Sequence, residues 1–192
     1  MRKILTSLMI IAVLAASITA GAMAVFTDQQ TSPDNVFTTG TVILGIAPAI
    51  AMFTVSNMAP GDVEYGGLKV SNNGSLELRY AMTTTADDTS TLDEQLDLTI
   101  DVVTAPGGDG IWYTDDDVVG EANIYGPNGV LSSAFFGDPA QGGQAGDRTL
   151  ASGTSERLRF NATLPLDTGN SYQGTTCTVA FVFDAEQTTS NP

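Results

Sequence analysis

Apolar residues recur at every second position in four stretches of the chain, and this alternation is typical of half-buried β-strands. The clearest stretches cover residues 76–82, 96–102, 158–164 and 177–183. Weaker alternation covers residues 36–46, 50–56 and 63–70. Beyond residue 24, no stretch repeats its apolar residues with the period of a helix. The pattern therefore predicts an all-β protein.

Short polar turns separate these predicted strands. Pro60-Gly61-Asp62, Asn72-Asn73-Gly74 and Thr168-Gly169-Asn170 supply residues that accept the backbone angles of tight turns. Several short strands joined in this way favour two packed sheets. The predicted fold class is a two-sheet sandwich, jelly-roll or immunoglobulin-like.

The middle of the chain, from Ala105 to Ser152, departs from this pattern. It is rich in Gly and Asp, and its apolar residues stand in isolated groups such as Ile111-Trp112-Tyr113 and Phe135-Phe136. This composition predicts a loop-rich insertion at one end of the sandwich.

The first 24 residues have the layout of an export signal. Arg2 and Lys3 precede an apolar run over residues 4–18, and Ala22-Met23-Ala24 supplies the small residues of a cleavage site. We predict a signal peptide over residues 1–24 and a secreted protein; a retained membrane anchor is the alternative. At the other end, residues 188–192 are predicted to form a polar tail.

Charge and side-chain chemistry narrow the function. Arg2 and Lys3 are two of the seven basic residues, so the chain from Val25 onward has five basic and 22 acidic residues, a net charge of −17. Such a surface repels nucleic acid. Cys177 is the single cysteine, which rules out an internal disulfide, and histidine is absent. The lack of histidine argues against serine, cysteine and zinc hydrolases.

Four carboxylates lie close together in the insertion: Asp109, Asp115, Asp116 and Asp117. Flexible loops that carry acidic residues and glycine bind calcium, although the spacing differs from an EF-hand. Calcium is therefore the one candidate cofactor, and a solvated acidic loop is the alternative.

Two sequons for N-linked glycans are present, at Asn73-Gly74-Ser75 and Asn161-Ala162-Thr163. They predict a glycoprotein if the host glycosylates exported proteins; two ordinary asparagines are the alternative.

Four segments resemble the TasA/camelysin family of secreted fibre proteins. They are Ala24-Val25-Phe26-Thr27-Asp28 followed by Phe37-Thr38-Thr39-Gly40-Thr41; Val55-Ser56-Asn57-Met58-Ala59-Pro60-Gly61-Asp62; Val70-Ser71-Asn72-Asn73-Gly74-Ser75-Leu76; and residues 164–174, continuing to Phe183-Asp184-Ala185-Glu186-Gln187. Each segment alone is a weak signal. Their order at both ends of the chain makes the resemblance specific, although it fades in the insertion.

The resemblance implies a jelly-roll subunit over residues 36–187 whose N-terminal segment, residues 25–35, completes the sheet of a neighbouring copy. The donated strand would consist of Val25, Phe26, Thr27, Asp28, Gln29, Gln30 and Thr31. Such head-to-tail contacts produce an extracellular filament, pilus or biofilm fibre, with a signal peptidase freeing the segment.

Three alternatives to the donated strand and the fibre subunit stay open. In the first alternative, residues 25–35 are a disordered terminus and not a donated strand. In the second alternative, the protein is a monomeric surface domain. It would bind carbohydrate or a partner through residues 105–152, with Trp112 and Tyr113 exposed as contacts. Camelysins are also described as metalloproteases, but without histidine no H-E-x-x-H element exists, and we predict that the chain is not an enzyme.

Overall fold

A computed structural model describes residues 40–49, 55–56, 58–86, 91–172 and 174–188. These residues form eleven β-strands and two short 3₁₀ turns. The strands are β1 (Leu44–Ala47), β2 (Val55–Ser56), β3 (Val63–Asn72), β4 (Leu78–Ala86), β5 (Asp97–Ala105), β6 (Val118–Val130), β7 (Phe135–Phe136), β8 (Arg148–Leu150), β9 (Ser155–Thr163), β10 (Thr176–Cys177) and β11 (Val179–Gln187); the turns are Leu131–Ser133 and Asn170–Tyr172. The predicted leader and donated strand lie outside the described residues, as does all of the predicted tail except Thr188.

Five strands form the larger sheet, in the order β1-β3-β9-β5-β6, and each is antiparallel to its neighbours. Strand β9 lies at the centre and pairs with β3 and β5 along its length. β1 and β6 are the outer strands of this sheet among the described residues.

The smaller sheet is built around β4. β11 pairs with β4 from Leu78 to Ala86, while β7 and β8 follow one another along its other edge. The two-residue strands β10 and β2 pair separately. All these pairings are antiparallel, as expected of strands joined by short turns.

The two sheets pack face to face on one hydrophobic core. Leu158 and Phe160 of β9 are fully buried, as are Tyr80 and Met82 of β4. Phe160 contacts Phe181 of β11 with their ring centroids 4.7 Å apart. The alternation in the sequence therefore marks the core face of β4, β5 and β9, and the predicted all-β sandwich is confirmed.

The loop-rich insertion differs in one respect from its prediction, because three strands lie between its loops. β6 extends the larger sheet, and β7 and β8 complete the smaller one. β6 contains Gly120, Gly126, Pro127 and Gly129, and its pairing with β5 shifts register four times. These irregularities break the period-two pattern, which explains why sequence alternation misses the strand.

A polar network ties the sheets together beside β6 and β8. Arg148 of β8 donates to both carboxylate oxygens of Glu156 in β9, over 2.9 and 2.7 Å. The hydroxyl of the buried Tyr80 also donates to Glu156. Burial, with the charge of Glu156 adding to it, raises the pKa of the Tyr80 hydroxyl far above its ordinary value, so this proton stays in place. Arg148 reaches Glu121 of β6 as well, over 3.0 Å.

Glu156→Ala should destabilise the fold by about 2–3 kcal/mol, since it leaves the buried Tyr80 hydroxyl without its acceptor and Arg148 with only the exposed Glu121. The side chains of Arg148 and Glu156 retain 17% and 14% exposure, so water offsets part of the loss. Urea unfolding followed by circular dichroism measures the change.

Glu121→Ala is the matched control for this substitution. The Glu121 side chain is 59% exposed, so its ion pair with Arg148 contributes less than about 1 kcal/mol. Equal destabilisation by the two substitutions would contradict the role assigned to Glu156.

Candidate functional site

The two lateral sides of the sandwich are closed by different contacts. On the side of β6, the Arg148 network and a contact between Tyr125 and Phe135, with ring centroids 6.4 Å apart, join the two sheets. On the opposite side lie β1 and β11, and no described strand pairs with the outer edge of β1. Apolar side chains in or just before these strands are only partly buried, namely Val42, Leu44, Ile46, Val179, Phe183 and Ala185; on the other side, Ile124 and Tyr125 of β6 are partly buried as well.

The first described residues lie at the end of β3. Thr41 donates its N–H to Ser75 Oγ over 2.9 Å, and Ser75 N–H donates back to Thr41 O over 3.0 Å. Asn73 N–H donates to Ile43 O over 2.8 Å. A Cβ on Gly74 would lie 2.2 Å from Thr41 O, so only glycine allows the chain to pass this close. The N-terminal segment therefore joins the sandwich at the Asn72-Asn73-Gly74 turn.

The acidic loop of the insertion lies on the outer face of the larger sheet. Tyr113 packs on Gly67 of β3, where a Cβ would come within 2.0 Å of the Tyr113 ring. The guanidinium of Arg157 stacks on Trp112 at 4.1 Å from the ring centroid. Both aromatic residues are half-buried rather than exposed, so neither offers the open contact surface expected from the sequence.

A buried ion pair anchors this loop. Arg159 of β9 and Asp101 of β5 are cross-strand partners and form a 3.0 Å ion pair with both side chains 7% exposed. Arg159 also donates to the carbonyl oxygen of Thr114 over 2.7 Å. The sequence does not predict this pair, because which residues face each other on different strands depends on the strand register, and the sequence pattern does not give that register.

The carboxylates predicted to bind calcium accept hydrogen bonds from the loop itself. Asp116 accepts from Gly108 N–H at 2.6 Å and from Thr114 Oγ1 at 2.8 Å. Asp117 accepts from Tyr113 N–H at 2.7 Å, and Asp109 accepts from Ile111 N–H. Asp115 is exposed. Across the described parts of the chain, no three acidic or cysteine side chains converge as a metal site would require. Calcium binding stays a prediction.

The two sequons occupy different surroundings. Asn161 is half-buried, and its Nδ2 donates to Asp101 Oδ2 over 3.3 Å, inside the network that anchors the loop. Asn73 is exposed at the end of β3. A glycan on Asn161 would replace a donor of that network, so Asn73 is the more accessible of the two. Glycosylation stays a prediction for both.

A cleft of about 370 Å³ lies on the outer face of the smaller sheet. Its acidic groups also hold backbone: Asp147 accepts from the N–H groups of Asp138 and Gln144, and Glu186 accepts from Arg79 and from Gly142 N–H. These contacts fix the loop that forms the wall of the cleft.

Residues 1–103 match the family model of the camelysin metallo-endopeptidases. The match covers more than half of the chain and includes the partly covered strand β1. The chain belongs to the camelysin family. This family includes TasA, so the resemblance seen in the sequence is confirmed. No curated protein matches the chain. Among the described residues, no helix is long and apolar enough to cross a membrane.

The metal implied by the camelysin description does not fit the residues of this chain. A peptidase zinc is held by histidine together with carboxylates, and the sequence contains no histidine. In the described part of the sandwich the acidic side chains do not gather into a set of three. No catalytic step can therefore be assigned to a metal here.

Gly67→Val should displace Tyr113 and loosen the acidic loop, because the new side chain would meet both the Tyr113 ring and Leu158 O, which lies 2.6 Å from the Cβ position. We expect a loss of about 1–3 kcal/mol in stability. Trp112 is the only tryptophan, so its emission reports directly on the loop. The emission should move to longer wavelength and be quenched more readily by acrylamide.

Gly108→Ala is the control within the same loop. Its Cβ would have only Asp116 Oδ2 nearby, at an ordinary 3.7 Å. The proposed docking of the loop would be wrong if this variant changed Trp112 emission as much as Gly67→Val does.

The loop should also respond to acid. The Thr114 hydroxyl, together with backbone N–H groups of Asp109 and Gly108, lowers the pKa of Asp116 below its ordinary value. A lowered folded-state pKa means that the contribution of Asp116 persists above the unfolded pKa and disappears as pH falls through the folded one. A titration of Trp112 emission from about pH 6 to 2 should show this release below the ordinary aspartate range. Thr114→Val should move the midpoint to higher pH; an unchanged midpoint would contradict the assignment.

Proposed function

We propose that this chain is the subunit of an extracellular filament, in which residues Val25–Thr31 of one copy complete the sandwich of the next. The observation that supports this best is the partial exposure of apolar side chains next to a strand edge that no described strand covers. These side chains belong to β1 and β11, on the side that lacks the ion pairs of Arg148.

An added strand is a suitable cover for this side. An extended segment satisfies the backbone of an edge strand while its alternate side chains enter the gap between the sheets. Val25 and Phe26 are apolar residues of the required kind. Taking a large apolar side chain from exposed to fully buried stabilises by about 1.5–3 kcal/mol, and each partly buried side chain offers a fraction of that.

The segment is long enough to reach a second copy. It joins the sandwich at Gly40, so residues 25–39 lie beyond the described part of the chain. Fifteen extended residues span up to about 50 Å. The ten residues of β3 extend over about 30 Å, which is the length of the sandwich along its strands. A donated strand and a connecting stretch both fit within this reach.

Charge decides the nature of the contacts between copies. With a net charge of −17 from Val25 onward, neighbouring copies repel one another. Arg79, Arg148 and Arg159 form ion pairs within the sandwich, and Arg157 stacks on Trp112. Four of the five basic side chains are thus engaged internally, so apolar and backbone contacts must hold copies together, and salt should favour assembly by screening the repulsion.

Maturation follows from the same proposal. Removal of residues 1–24 by a signal peptidase places Val25 at the free N-terminus of a secreted protein. The donated strand becomes available only after export, so polymerisation is confined to the cell surface and the surrounding matrix.

A catalytic function is not part of this proposal, although the family takes its description from a metallo-endopeptidase. The chain supplies no histidine, and its loop carboxylates already accept hydrogen bonds from backbone N–H groups. Binding as a monomer through Trp112 and Tyr113 is likewise disfavoured, since both rings pack on the sheet beneath them.

Electron microscopy of the chain beginning at Val25 should show filaments, and the chain beginning at Ser32 should remain as single particles. A peptide of residues 25–36 should bind the shortened chain and raise its melting temperature without producing filaments. A Phe26→Ser peptide is the matched control and should bind more weakly.

Filaments from both chains, or particles from both, would contradict strand donation. Cleavage of casein that a chelator abolishes would instead identify the chain as a peptidase.

A further inference from the structure

Leu166 is an apolar side chain in an unusually exposed position. It is 83% exposed, compared with 61% for Ile111 and 59% for Phe135, and no other large hydrophobic residue in the described ranges is as accessible. It lies in the connection after β9, at the end of the sandwich where β3 begins. Single exposed apolar side chains are common on protein surfaces, but covering one this exposed would be favourable, so it is available for a contact.

Hydrogen bonds hold Leu166 in this position. Gly61 N–H donates to Leu164 O over 2.7 Å, and Leu164 N–H donates to Asp62 O over 3.0 Å. The Leu166 side chain lies against Gly61, where a Cβ would come 2.9 Å from Leu166 Cδ2, and Gly61 has a φ of +93° that favours glycine. The leucine is therefore presented on two interlocked turns, residues 59–62 and 164–168. We name this end of the sandwich the proline pole, after Pro60 and Pro165.

The opposite end of the sandwich has a different character. It is formed by residues 40–47, 70–76 and 149–155, which meet through the hydrogen bonds of Asn72, Asn73 and Ser75. None of these three segments contains a charged residue, in a chain with 22 acidic ones. Ile43 is 49% exposed there. We name this end the asparagine pole; it is also where the N-terminal segment joins the sandwich.

Filament symmetry brings these two ends together. Head-to-tail contacts that do not close give every copy the same direction along the filament. A segment that leaves the asparagine pole and runs into the next copy places that pole opposite the proline pole of its neighbour. The asparagine pole offers a contact without charged side chains, and residues 58–61 and 163–166 of the proline pole are uncharged, with Asp62 and Asp167 next to them.

We propose that Leu166 of one copy packs against the asparagine pole of the next, on Ile43, and so forms a second contact beside the donated strand. This inference rests on the proposed filament. It assigns a second copy of this chain as the partner of the proline pole. The contact is apolar, because the arginines already form contacts within the sandwich.

The test compares Leu166→Ser with Ile111→Ser in the chain beginning at Val25. Both substitutions replace an exposed apolar side chain, but Ile111 lies in the acidic loop between β5 and β6 and belongs to none of the segments that form the two poles. Leu166→Ser should raise the critical concentration for filament formation about tenfold or more, whereas Ile111→Ser should leave it within about twofold. Both variants should keep the thermal stability of the parent.

The reciprocal substitution tests the assigned partner. Ile43→Ser should also raise the critical concentration, and the double variant should be no worse than the more affected single one, as expected for two side chains that contact each other. Additive effects would assign the two residues to separate contacts and overturn the pairing.

Binding of the peptide of residues 25–36 separates this inference from the filament proposal. The peptide should bind the shortened chain equally well with and without Leu166→Ser. If the peptide binds but Leu166→Ser assembles like the parent, the pole contact is wrong and strand donation stands. If the peptide fails to bind, strand donation is wrong.

Discussion

Among the described residues, the ion pairs between the two sheets run from Arg148 of β8 to Glu156 of β9 and Glu121 of β6, and the rest of the structure depends on that placement. Glu156 accepts hydrogen bonds from Arg148 and Tyr80 across the gap between the sheets. Such a network fixes the spacing and register of the sheets where it lies. Beside β1 and β11 the spacing is instead set by apolar side chains that remain partly accessible. That side can therefore admit an additional strand without loss of an ionic contact.

Charge imposes a second constraint. A chain with so many carboxylates lowers its own repulsion by using them as acceptors, and the acidic loop shows how. Asp109, Asp116 and Asp117 each accept backbone N–H groups in the same loop, while Arg159 neutralises Asp101 beneath it. The loop is thereby ordered by its own carboxylates. Because most basic side chains are paired within the sandwich, few cations remain for contacts with other molecules, and the proposed contacts between copies therefore use uncharged surfaces.

The sequence is sufficient to predict the strands whose core faces alternate regularly, namely β4, β5, β9 and β11, since a buried face fixes the period. It fails for β6, where glycines and bulges interrupt the period, and for β7 and β8, which are too short to show one. The carboxylates at positions 109–117 are visible in the sequence, but their donors are not, because Gly108 N–H and Thr114 Oγ1 reach Asp116 only once the loop has closed. The Asp101–Arg159 pair likewise depends on strand register.

Membership of a family does not by itself determine the function of this chain. A fold can keep its core while the side chains at a site are replaced, so membership of the camelysin family does not by itself assign a peptidase chemistry to this chain. In this chain histidine is missing altogether, while apolar side chains of β1 and β11 remain partly exposed. If a neighbouring copy provides that cover, part of the free energy of folding comes from association, and the stability of the sandwich then rises with its own concentration. Folding and assembly would be a single equilibrium, with the N-terminal segment as the link between copies.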